Sequence, residues 1–155
     1  MKVHVYEKLW IIGAALMIVG FLTAMTYAAS RHAVHPPSHI ETIDPLKVRT
    51  ESEFASPGVR TLEDGTVEVV GVAEMFRFLP GTIRVPANSP IRFRMTSPDV
   101  LHGFQIATTN INVMIVPGYV SEITVSFPNK GEYLILCNEY CGLSHHLMYG
   151  RLVVE

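Results

Sequence analysis

Ile91-Arg92-Phe93-Arg94-Met95 and Ile123-Thr124-Val125-Ser126-Phe127 decide the fold. In both, apolar side chains alternate with polar or charged ones, the period of a strand that buries one face and wets the other. Outward from this pair, Thr66 to Val72, Ile83 to Val85, Pro90 to Met95, Ile111 to Val116, Glu122 to Phe127, Tyr133 to Leu136 and Arg151 to Val154 are short, rich in Val, Ile and Phe, and bounded by Pro, Gly, Asn or Ser. No helical stripe of comparable length interrupts them. Such a succession of strands in 66–155 predicts an all-β domain, an antiparallel Greek-key sandwich.

Upstream the pattern changes. From Leu9 to Ala29 no residue is charged, and a helix rising ~1.5 Å per residue over that stretch spans the roughly 30 Å of bilayer hydrocarbon. One transmembrane helix is therefore predicted over 9–29. Trp10 and Tyr27 stand where interfacial aromatics belong, and Lys2, Lys8 and the free amine outweigh Arg31, so 1–8 is expected in the cytoplasm. A cleaved signal peptide is the alternative, but its apolar region runs to only about 7–15 residues. Either way everything after Ser30 lies outside, at a cell membrane. Residues 30–65, with Pro36, Pro37, Pro45 and Pro57 and no sustained apolar period, read as an extended linker. His32, His35 and His39 within it read as solvated rather than as a second metal cluster.

Formal net charge is −2, with 12 Lys and Arg against 14 Asp and Glu. Without a basic stripe, nucleic acid is excluded as a partner.

All the cysteine in the chain lies in Cys137-Asn138-Glu139-Tyr140-Cys141-Gly142-Leu143-Ser144-His145-His146-Leu147-Met148, the loop between the last two predicted strands. Thiolate, imidazole and thioether favour copper or zinc over magnesium or calcium. A disulfide over so short a span would stabilise little. His102, at a turn after the Ile91 strand, is expected to reach the same loop. Cys137, Cys141, His145 and His102 would complete a structural zinc site. Blue copper needs one thiolate, two imidazoles and a weak axial ligand such as Met148, which leaves one cysteine over; two thiolates bridging two coppers use both.

The residues also carry a family resemblance. Cys137-x3-Cys141-x3-His145-x2-Met148 with upstream His102 resembles the CuA motif of cytochrome c oxidase subunit II. The likeness extends through Ser97-Pro98-Asp99-Val100-Leu101-His102-Gly103-Phe104, Thr109-Asn110-Ile111-Asn112-Val113 and Val116-Pro117-Gly118. The single anchor is similar to the short B-family form, some of whose members have Gln where this chain has Glu139. The resemblance implies a cupredoxin-like sandwich carrying a dinuclear copper centre. Cys137 and Cys141 would bridge, His102 and His145 would be terminal ligands, Met148 the weak thioether, and Glu139 a ligand through its main-chain carbonyl. It further implies a Mg2+ ion near the Glu139 carboxylate at the boundary with subunit I, and Phe76 at the point of electron entry. His146 is left as a surface or interface residue, and Asp99 is a candidate partner of His102 or, equally, a turn-forming residue.

As an expectation, such a chain takes electrons from cytochrome c and passes them to haem in subunit I, where oxygen is reduced to water. It would be the electron-entry subunit of an oxidoreductase, performing no bond chemistry itself, with lipid around its anchor. The rival readings are a membrane-anchored copper carrier or chaperone and a zinc-stabilised structural subunit.

Overall fold

The computed structural model describes residues 4–32 and 41–155 and divides the chain into two compact units, 1–39 and 40–155. In the first, α1 (Val5–His32) is one uninterrupted helix that contains the expected span and continues beyond it at both ends. Over Val5–Ser30 it is long and apolar enough to cross a membrane. Its hydroxyls are met internally: Thr23 donates to the Val19 carbonyl at 2.7 Å and Thr26 to that of Leu22 at 2.8 Å. A helix in hydrocarbon needs such i−4 bonds, because no water is there to serve those groups. The expectation for His35 and His39 lies outside the described residues.

Among the described residues, eleven strands build the second unit: β1 (Glu41–Thr42), β2 (Gly58–Thr61), β3 (Val67–Glu74), β4 (Arg77–Leu79), β5 (Thr82–Val85), β6 (Ile91–Thr96), β7 (His102–Ile106), β8 (Asn112–Ile115), β9 (Tyr119–Val125), β10 (Gly131–Leu136) and β11 (Tyr149–Val154). They form two sheets, ordered β1-β9-β6-β3-β2 with β4 beside β3, and β5-β11-β10-β7-β8. Each stretch predicted as a strand overlaps one of these. The alternation in β6 has its expected outcome: Ile91, Phe93 and Met95 are buried between the sheets, while Arg92 and Arg94 face out. Phe93, Phe104 and Phe127 meet there ring to ring, with Ile106, Ile135 and Leu152 around them.

Two features correct the sequence reading. The sandwich is not wholly antiparallel, since β3 pairs with β6 and β5 with β11 in parallel. Alternation has period two in either kind of pairing, so it carries no information on direction. The second correction concerns the linker. From Glu41 onward, the stretch read as an extended connection belongs to the folded unit. It supplies β1, β2 and two 3-10 turns, Pro45–Lys47 and Glu53–Ala55. Val48 and Phe54 from this segment cover Val70, Val72 and Val120 on the outer side of the first sheet. β3 is consequently buried on both faces rather than one.

Charges pin the same layer. Arg94, projecting outward from β6, meets Glu53 at 2.6 Å, Glu122 at 2.7 Å and Glu41 at 2.8 Å, and Arg60 joins Glu53 to Glu68. Burial alone would raise the Glu53 carboxyl, but the hydrogen bonds and charges of Arg94 and Arg60 outweigh it and hold the group below the ordinary value of 4.5. Stability from a lowered carboxylate is complete above its unfolded value and is lost as pH falls through the folded one. Acidification below pH 4.5 should therefore lower the melting temperature more steeply for the wild-type chain than for Glu53→Gln. Equal slopes would show that Glu53 does not carry this dependence.

Candidate metal centre

β10 and β11 form one hairpin whose last registered pair is Leu136 opposite Tyr149. The ligand-rich loop, 137–148, is what that hairpin closes. Its ends are joined by the Cys137 N–H, which donates to the Met148 carbonyl at 3.3 Å. Inside the loop, the His145 N–H donates to the Gly142 carbonyl at 3.1 Å and the Leu147 N–H to the Ser144 carbonyl at 2.9 Å, winding a 3-10 turn over His145–Leu147. That turn returns Met148 to the interior, where it is buried with both cysteines. Gly142 has φ +129°, a conformation that favours glycine, and a Cβ there would lie 3.0 Å from the Phe76 ring.

His102 arrives from the same sheet. It is the first residue of β7, not part of a turn, and is wholly buried. Asp99, in the preceding Ser97-Pro98-Asp99 turn, accepts from the His102 Nε2–H at 2.8 Å and from the Met75 N–H at 2.7 Å. Burial would raise the Asp99 carboxyl, but these bonds, with those from Val100 and Ser97, hold it below its ordinary value. An ionised acceptor fixes the proton on Nε2 and leaves the Nδ1 lone pair free. Nδ1 is the atom that faces the loop.

The donor atoms form a chain of near contacts. Cys137 Sγ lies 3.8 Å from Cys141 Sγ, 3.8 Å from His102 Nδ1 and 3.2 Å from the Glu139 carbonyl oxygen. Cys141 Sγ lies 3.5 Å from His145 Nδ1 and 3.7 Å from Met148 Sδ. The cysteines are free thiols. Burial, and then the neighbouring Cys137, push the Cys141 thiol up to about 11, so a metal ion entering here must displace a proton. The donor atoms of His102, Cys137 and Cys141 all lie within 4.8 Å of one another and could hold a metal; His145 stands outside that trio and approaches from the Cys141 side.

The structure thus brings together His102, Cys137, Cys141, His145, Met148 and the Glu139 carbonyl. His146 is exposed, outside this set, and the Glu139 side chain is half-buried. Phe76 is half-buried against Gly142 of the loop. Around the rim, Tyr140 sets its ring edge-on to His145 at 5.8 Å, and Leu143 is 90% exposed. The sequence reading missed one contact: Asn138 lies against Gly103 and donates to Asn112 at 3.0 Å. Its only trace in the sequence is a glycine directly after His102.

Comparison with known proteins gives this arrangement a context. Residues 59–155 match the family model described as cytochrome c oxidase subunit II, periplasmic domain. The chain is 40% identical to a cytochrome c oxidase subunit 2 of Thermus thermophilus, over 97% of this chain and 92% of that one. A second Thermus thermophilus subunit 2 is 43% identical over 85% of this chain and 99% of its own. Among solved structures, a chain of a haem-copper terminal oxidase dimer superposes with TM-score 0.71 at 29% identity, covering 97% of this chain and 99% of that one. A buried His-Cys-Cys cluster on a cupredoxin-like sandwich, an apolar anchor before it, the family model over 59–155 and relatives matched over most of their length lead to one conclusion: this chain belongs to the cytochrome c oxidase subunit II family, as the copper-binding, membrane-anchored subunit of an oxidoreductase complex, with its β-unit outside.

Proposed function

We propose that the loop 137–148 and His102 hold two copper ions, with Cys137 and Cys141 shared between them. The observation that carries this reading is the pairing of each thiol with its own imidazole, Cys137 with His102 and Cys141 with His145, across a sulfur separation of 3.8 Å. A metal–thiolate bond of about 2.3 Å exceeds half that separation, so an ion on either side of the sulfur–sulfur line can touch both sulfurs. A single tetrahedral zinc would instead need all four donors on edges of roughly 3.3–3.8 Å, by the same bond lengths, and His145 stands apart from the other three.

Bound copper would supply one-electron redox chemistry. The chain's residues supply a cage that excludes water and moves little between redox states. His102 is oriented by Asp99, the loop is closed at both ends by the hairpin, and Met148 and the Glu139 carbonyl complete the set as weak ligands. The burial of His102, Cys137, Cys141 and Met148 also speaks against a carrier or chaperone, which must expose an exchangeable ion.

In this reading cytochrome c docks on the apolar rim of Tyr140, Leu143 and Met75, and Phe76 beneath it is the point of entry. With a net charge near zero, an apolar patch rather than long-range steering would govern that encounter. Electrons then pass to haem in subunit I. The Glu139 carboxylate offers a hard oxygen to a Mg2+ ion at that boundary. The amino terminus would be cytoplasmic by its positive charges, with lipid and subunit I around α1.

The test is to load the full-length chain with copper in detergent and record copper per chain and the paramagnetic spectrum. Two coppers sharing one unpaired electron are expected; one copper with single-nucleus hyperfine structure, or a preference for zinc, would sink the reading. Met148→Leu should keep both coppers and shift the potential, since an axial thioether tunes more than it binds. An empty site in that variant would make Met148 a principal ligand instead.

A further inference from the structure

The two elements that carry the facing ligands are poorly joined by backbone. β10 pairs with β7 through Ile135 with Ile106 and Leu136 with Gln105, and the Ala107 N–H donates to the Leu134 carbonyl at 2.9 Å on the side away from the ligands. Past that point β7 runs on through Phe104 and Gly103 to His102, while the other chain leaves the ladder as Cys137-Asn138-Glu139. A separation between ligand elements left to a frayed ladder would vary, yet Nδ1 of His102 and Sγ of Cys137 are 3.8 Å apart.

What spans the gap is a side chain. Asn138 lies flat on Gly103, so closely that a Cβ at Gly103 would overlap Asn138 Oδ1 and come within 2.9 Å of its Cγ and backbone nitrogen. Beyond Gly103, Asn138 Nδ2 donates to Asn112 Oδ1 at 3.0 Å, and Asn112 begins β8, paired with Gln105. The side chain therefore reaches over β7 and fastens the loop to the next strand. It does so from the position between Cys137 and Glu139, both of which turn a donor toward the centre.

We infer that Asn138 is a positioning residue for the copper centre, holding Cys137 and the Glu139 carbonyl at a fixed distance from His102 by resting on Gly103 and anchoring to Asn112. The inference rests on the two-copper reading. Asn138 is not one of the trio and is itself exposed, so its hydrogen bond adds little to folding. Its effect should appear in the metal rather than in the melting curve.

The experiment compares full-length wild type, Asn138→Ala, Asn112→Ala and the double variant, measuring copper per chain, paramagnetic hyperfine splitting, midpoint potential and melting temperature. Both single variants should take up two coppers and melt close to wild type. Their electron-exchange equilibrium with a reference donor should change about three- to tenfold, where tenfold corresponds to 59 mV for one electron, and the hyperfine splitting should change with it. The double variant should go no further than Asn138→Ala alone, because the two residues act through one bond. A wild-type chain that fails to take two coppers overturns the proposed function and this inference with it. Two coppers in the wild type, with Asn138→Ala indistinguishable in potential and splitting, overturns this inference alone, as does a lowered melting temperature with an unchanged spectrum. If Asn138→Ala fails to fold, Asn112→Ala decides: a shifted potential supports the clamp, and an unshifted one overturns it.

Discussion

Cys137→Ser should, on the two-copper reading, convert the centre from two coppers to one and remove the spectrum of an electron shared between two nuclei. Cys137 Sγ lies within 3.8 Å of the other thiol, of the His102 imidazole and of the Glu139 carbonyl. A serine hydroxyl is a harder donor and is not ionised at neutral pH, so it bridges no pair of copper ions. What remains is Cys141, two imidazoles and the Met148 thioether, the donor set of a mononuclear blue copper site. Since loss of an outer hydrogen-bond partner already costs roughly 10–100-fold in metal affinity or activity, loss of a bridging ligand should lower electron entry by more than ~100-fold. The β-unit should stay folded, because the exchange replaces one small atom and leaves the apolar side chains of the cluster in place. Copper analysis and paramagnetic resonance on the purified variant read the outcome directly. Two coppers with an unchanged shared-electron spectrum would show that Cys137 does not bridge.

The contrast between what was and was not legible in the chain follows sequence distance. The spacing of Cys137, Cys141, His145 and Met148 is readable because one loop holds all four, and a turn of the backbone is enough to collect them. His102 is farther away, and only its register in β7 beside β10 brings it in; the sequence suggests the residue but mistakes a strand start for a turn. Phe54 could not be read at all. Its partners Val70, Val72 and Val120 come from two other strands, and the intervening prolines and charges look like a tether. The charges mislead for a physical reason: Glu41 and Glu53 seem solvated until Arg94, far along the chain, is seen between them. Asn138 was silent for a similar reason. It matters through the missing side chain of Gly103 and a hydrogen bond to Asn112, and neither leaves a periodic trace.

Phe54→Ala gives the largest expected loss of stability that leaves the metal centre alone. Phe54 is 1% exposed, and its turn is capped by Ser52, whose hydroxyl accepts from the Phe54 N–H at 3.2 Å. The ring fills the outer cluster with Val48, Val70, Val72 and Val120, and none of the proposed ligands belongs to that cluster. Truncating a buried phenylalanine removes about 3–5 kcal/mol through lost burial and the cavity left behind, a large part of the ~5–15 kcal/mol that holds a domain folded. For a unit of this size the melting temperature should fall on the order of 10 °C. The paramagnetic spectrum of the folded, copper-loaded variant should match wild type, because Cys137, Cys141 and Met148 pack in the other cluster, between the sheets. Leu46→Ala, on the same segment but 88% exposed, should change neither. If Phe54→Ala melts with the wild type, residues 41–61 are an appended strap rather than a third layer of the cooperative fold. If its spectrum shifts as well, the outer layer is coupled to the ligand loop through β3, which carries Val70 and Val72 outward and Val69 and Ala73 inward on one strand.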